Sequence, residues 1–173
     1  MLAWGLGWWL HISPLGRLQF GFAPVALGIV ATVPMLLGLA WILTSRWPPA
    51  RELVTLVSER LAPLLAGCSR SQLAFLAVLA GVAEEVLFRG VVQVGLSEMF
   101  SQPLALVTTS AIFGLAHFAS PVYALLAGLV GLYLGALFLL QGSLLVPILA
   151  HALYDFVALV ALDSLHGRHQ RDQ

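Results

Sequence analysis

A chain of 173 residues that is 60% hydrophobic and 9% charged does not have the makeup of a water-soluble domain, which runs near ~45–50% apolar and ~25% charged. Its formal net charge is zero, Arg supplies every strong positive charge, and there is no basic surface of the kind that binds nucleic acid. Cys68 stands alone, which excludes an internal disulfide framework and Cys-based metal spacing. The bilayer must cover the apolar surplus, so the expected fold is an all-α membrane protein. It is a single membrane-embedded domain over 1–173, a bundle of about five transmembrane helices plus an interfacial amphipathic helix.

In chain order, Met1 to Ile12 is apolar, lacks the basic region of a signal peptide and carries Trp4, Trp8 and Trp9. It reads as an interfacial segment or half-helix. No charge occurs between Arg17 and Arg46, and 23–44 is long enough for one span of ~20 residues. Pro34 near its middle predicts a kink. After Trp47-Pro48-Pro49, the stretch 51–65 places Leu53, Leu56, Val57, Leu61, Leu64 and Leu65 on one helical face. This predicts a helix lying at the interface or packed on the bundle.

A second span begins near Ser71 and runs into Glu84, Glu85 and Arg89. From Met99 to Tyr154 there is no Asp, Glu, Lys or Arg, and turn signals at Ser120-Pro121 and Gln141-Gly142-Ser143 divide that stretch into spans near 103–119, 122–140 and 144–162. Residues 1–70 then form an N-terminal span and amphipathic helix, 71–162 a helix core, and 163–173 a polar tail. Arg46, Arg51, Arg60 and Arg70 lie in the first connection and Arg168 and Arg171 in the tail. The positive-inside rule puts both on the cytoplasmic side. Gly128, Gly131 and Gly135 at small-residue spacing predict close helix packing.

An ionisable group in hydrocarbon costs several kcal/mol, so acids and histidines inside spans face the bundle interior and serve a function there. Glu84, Glu85, His117, His151 and Asp155 are such groups, with Arg89 as the buried cation. Residues four apart share a helix face, so Glu85 can pair with Arg89, while Glu84 is turned by ~100° toward a cavity. His117 follows Phe113 by one turn and His151 precedes Asp155 by one turn, so two helices deliver imidazoles inward. A single His in a helix is more often a hydrogen-bonded core residue than a catalyst; two of them with two acids and an Arg point to chemistry. Pro147, one turn before His151, predicts an irregularity that opens backbone carbonyls or room for water near that ring, or a packing kink.

In order, Glu84-Glu85-Val86-Leu87-Phe88-Arg89, Phe113-Gly114-Leu115-Ala116-His117 and His151-Ala152-Leu153-Tyr154-Asp155 give EExxxR, FxxxH and HxxxD. Over 71–162 the chain resembles the CPBP family of membrane proteases, which includes CAAX endopeptidases and bacterial bacteriocin-processing or self-immunity proteins. The resemblance implies a glutamic endopeptidase in which Glu84 and His117 activate water, His151 and Asp155 stabilise the oxyanion, and Arg89 supports the acidic pair. Glu85 and Phe113 are the further structural supports. Many members carry Asn where this chain has Asp155, and an ionised Asp cannot donate to an oxyanion; Asp155 is either protonated or orients His151.

The implied substrate is a membrane-embedded or lipid-anchored protein or peptide, with no cofactor. The all-Arg, Ala- and Leu-rich composition fits a multi-pass protein of a bacterial cytoplasmic membrane. Two imidazoles with carboxylates also suit a divalent metal, which gives a metal-dependent version of the protease as an alternative, although no HExxH is present. A non-catalytic adaptor or a proton-coupled transporter is the alternative from another class.

Overall fold

The computed structural model describes the backbone of residues 1–169 and the side chains of residues 1–165. The charges of Arg168 and Arg171, assigned to the cytoplasmic tail, lie outside those described side chains. The described residues form helices α1 (Leu2–Trp9), α2 (Phe22–Thr44), α3 (Pro48–Arg60), α4 (Ala62–Leu65), α5 (Arg70–Leu87), a π-helical turn (Phe88–Gln93), α6 (Val94–Met99), α7 (Gln102–Ala116), α8 (Pro121–Gln141) and α9 (Leu145–His169). The main packing interfaces are α7 on α8, and α9 on both α2 and α5.

Polarity is inverted relative to a soluble protein. Leu37, Phe75, Val107, Leu125 and Leu140 are exposed, whereas Glu85, Arg89, Gln93 and Thr109 are buried. Such an arrangement is stable only where lipid replaces water around the bundle. Phe22–Thr44, Pro121–Gln141 and Leu145–Leu165 are long and apolar enough to cross a membrane. The two other expected spans are also helical but differ from them. α7 is a shorter apolar helix, and α5 continues through the π turn into α6 while carrying Glu84, Glu85, Arg89 and Glu98.

Three local expectations are corrected. The amphipathic stretch 51–65 is two helices, because Pro63 in α4 has no N–H to give to the preceding turn and a proline ring clashes with the carbonyl four residues before it in a continuous helix. The span expected to run to 119 stops at Ala116, with His117 as its C-terminal cap. Pro147 lies in the first turn of α9, where a missing N–H costs no intrahelical bond, so it creates no irregularity beside His151.

Ends of the bundle are tied by specific contacts. Ser69 caps α5 in a capping box with Gln72, which starts the helix that bears the acids. At the opposite end, Leu144 N–H donates to the Arg17 carbonyl at 2.9 Å. α4 packs its Ala62 and Leu65 against Leu73 and Leu162, so the Arg-bearing first connection and the end of α9 share one end of the molecule. Tyr133 of α8 donates to the Ala31 carbonyl of α2 at 2.8 Å, closing the bundle around a central cavity.

Candidate active site

Glu84 and Glu85 are consecutive on α5, and the helix sends them to different surroundings. Glu85 is fully buried. Its Oε1 accepts from Arg89 Nη1 at 2.8 Å and from His151 Nδ1 at 2.8 Å. The expected Glu85–Arg89 pair is present; its bond to His151 on α9 was not foreseen, since no spacing rule links residues so far apart. Asp155, one turn beyond His151, approaches Nε2 at 3.4 Å, so the hydrogen bond that orients the ring comes from Glu85.

Arg89 is held on several sides. Its Nη2 donates to the Gly131 carbonyl at 2.7 Å, and its Cζ lies 4.8 Å from the centre of the Phe113 ring, a cation–π distance. One turn on, Gln93 Nε2 donates to the Gly135 carbonyl at 3.2 Å. Arg89 and Gln93 both belong to the π turn, so two side chains one turn apart reach two carbonyls one turn apart on α8. Gly131 and Gly135 allow that approach: a Cβ on Gly135 would lie 2.8 Å from Gln93 Oε1, and one on Gly131 would lie 3.2 Å from the Phe113 ring. Close packing at these glycines was expected; their carbonyls as acceptors, and Gln93 as a donor, were not. Buried polar side chains in lipid need partners, and that rule, applied to Gln93 in an apolar stretch, is the signal that could have found it.

Phe113 links the two halves of the site. Its ring stacks on His117 at 4.4 Å between centroids and 28° between planes, and stands 6.2 Å from His151. His117 Nδ1–H donates to the Phe113 carbonyl at 2.8 Å. This fixes the ring and turns Nε2 toward Glu84.

Glu84 Oε2 therefore lies between two imidazoles, 3.4 Å from His117 Nε2 and 3.9 Å from His151 Nε2, with no hydrogen bond to either. Glu84, His117 and Asp155 are partly exposed, with 29, 27 and 26% of each side chain accessible, so these groups meet solvent while Glu85 and Arg89 do not. They line a cavity of about 400 Å³ together with His151, Tyr123 and Tyr154. A second, mostly apolar cavity of about 270 Å³ adjoins it between α2, α3 and α9. Among the described residues, no group of three or more His, Cys, Asp or Glu has the arrangement of a metal site.

All seven residues singled out in the sequence thus gather in one region: Glu84, Glu85, Arg89, Phe113, His117, His151 and Asp155. Fold and cluster together define a class, a helical membrane protein with an acid–imidazole site inside the bundle. A family model described as type II CAAX prenyl endopeptidase Rce1-like matches residues 68–157, just over half of the chain, and the chain belongs to that family. The family is one of CAAX-type endopeptidases, which are hydrolases, and the matched range contains every residue of the cluster. No curated protein and no solved structure matches the chain.

Proposed function

We propose that this protein hydrolyses a peptide bond of a membrane-embedded or lipid-anchored substrate, with water activated by Glu84 and His117. The observation that carries the proposal is the position of Glu84 Oε2, flanked by the Nε2 atoms of imidazoles from two other helices at the wall of an internal cavity. Water donating to Glu84 is oriented by the His117 lone pair. As its oxygen attacks the carbonyl carbon, its proton passes to the carboxylate. The tetrahedral intermediate collapses when that proton reaches the leaving amine. Glu85 and Arg89 do not touch the substrate in this scheme: they hold His151 and Phe113, and through Phe113 they hold His117.

Those groups supply acid–base chemistry without a metal. The shared end of the molecule that holds the Arg-rich first connection is proposed as the cytoplasmic side of a bacterial membrane, following the positive-inside rule. The test compares membrane proteomes of cells carrying wild-type or Glu84→Gln protein, together with purified protein treated with EDTA. Shortened protein tails that appear only with the wild type, and cleavage that persists in chelator, are the expected results. Identical proteomes would instead favour an adaptor, and loss of cleavage in EDTA would favour the metal-dependent alternative.

A further inference from the structure

The walls of the catalytic cavity are unequal. Glu84 of α5, His117 at the end of α7 and His151 of α9 stand on one side of it, and α2 and α8 form the other. α2 packs on α9 and α8 packs on α7. The two meet where Ala31 and Met35 pack with Leu134 and where Tyr133 donates to the Ala31 carbonyl at 2.8 Å. Nearer the Arg-bearing end, Gly38, Leu39 and Ile42 of α2 and Tyr123, Leu126 and Leu129 of α8 line the cavity from its two edges. Pro34, Gly38 and Leu129 line the cavity and are also exposed on the outside of the bundle. The cavity therefore reaches the surface between α2 and α8. Those residues lie near the middle of two helices long enough to cross a membrane, so the opening faces lipid hydrocarbon and not water.

The α2 edge of this opening is the weaker one. Pro34 has no N–H, which leaves the Val30 carbonyl without its helical donor. One turn later, Gly38 has open space around it, a Cβ there meeting nothing within 4 Å. A proline and a glycine one turn apart loosen a helix at the turn between them. Tyr133 bonds to the carbonyl next to that of Val30, so one neutral hydrogen bond from α8 holds α2 just before the loosened turn.

We infer that the gap between α2 and α8 is a lateral gate through which a membrane-embedded substrate segment passes from the bilayer to Glu84, with Pro34 and Gly38 as its hinge and the Tyr133–Ala31 hydrogen bond as its latch. The inference rests on the peptidase reading above and adds to it a substrate path along α2, a helix outside the matched range 68–157. An apolar rim at this depth fits a chain already dissolved in lipid, whereas a soluble peptide would have to shed its water to reach it. Rotation at the hinge carries Leu39 and Ile42 away from Leu126 and Tyr123 and widens the gap.

The test uses full-length Cys68→Ser protein in phosphatidylcholine nanodiscs and a panel of internally quenched reporter peptides, each joined to one apolar transmembrane helix. Tyr133→Phe removes the latch and keeps the ring, and kcat/KM for the reporters is expected to rise about two- to tenfold, the worth of one net hydrogen bond. Protein carrying Gly38→Cys and Leu129→Cys, joined by a bis-methanethiosulfonate linker, is expected to cleave no faster than Glu84→Gln and to recover when dithiothreitol releases the linker. The same protein capped with methyl methanethiosulfonate is expected to keep cleaving. Opposite signs for the unlatched and the linked protein separate a gate from a damaged fold, which would slow both. Spin labels on the same two cysteines read the gap directly, and Tyr133→Phe is expected to add longer distances to the wild-type distribution. Unchanged distances or slower cleavage in Tyr133→Phe, or linked protein that cleaves as the capped protein does, would overturn the inference. Should Tyr133→Phe fail to accumulate, the linker comparison decides. If neither the wild type nor Glu84→Gln cuts any reporter, the peptidase reading itself fails, and the spin-label distances still judge the gate.

Discussion

Glu84 and Glu85 are neighbours in the chain with opposite surroundings, and the contrast explains how the site is built. Glu85 lies in a closed region whose partners are Arg89 and His151, with Gln93 and two α8 carbonyls beyond. Glu84 lies at the edge of a cavity, partly exposed and with no hydrogen bond to either imidazole beside it. The closed region holds the imidazole of His151 and the ring of Phe113 in place, and the open region is left with groups free to exchange protons. A buried carboxylate bonded to a cation and an imidazole is a poor base, and a partly exposed one at a cavity is a poor scaffold; placing two acids in sequence on one helix provides both roles within one turn.

The comparison is sharpened most strongly from the closed side. Removing one partner of a buried ion pair leaves an uncompensated charge and costs about 3–5 kcal/mol. Arg89→Ala should therefore lower the melting temperature and the amount of protein in membranes, whereas Glu84→Gln should melt as wild type does. Equal melting temperatures for the two variants would break the distinction. On the open side, His117→Gln keeps a polar side chain but removes the imidazole, and cleavage should fall by about 10²–10⁴ with little change in melting. A comparable fall in melting temperature would assign His117 to the scaffold instead. The smallest effect is expected at the seam: Gly135→Ala pushes a methyl against Gln93 and Leu106, an overpacking worth about 1–3 kcal/mol, read as a lower melting temperature with cleavage at low temperature retained.

Much of this site was readable from local pattern. The i,i+4 rule paired Glu85 with Arg89, and the ~100° step per residue separated Glu84 from it. Both are properties of a single helix, and a helix through 84–89 followed from the apolar run around it. The bond between Glu85 and His151 was not readable, because it joins α5 to α9 and depends on how those helices pack. The same holds for the α8 carbonyls that receive Arg89 and Gln93, since every residue has a carbonyl and only proximity selects Gly131 and Gly135. Pro63 and Pro147 show the limit at helix ends: one ended a helix that was expected to continue, and the other disturbed nothing because it fell in a first turn.

From the amino-acid order alone came the solvent, the all-helical class, the places of three of the five expected apolar spans and the list of side chains that had to face inward. Those follow from composition and from the cost of exposing polar groups to lipid, which act on each segment independently. Which inward-facing groups share a hydrogen and which remain open to the cavity were decided by the packing of α5, α7, α8 and α9. Distances of a few ångströms between helices have no counterpart in spacing along the chain.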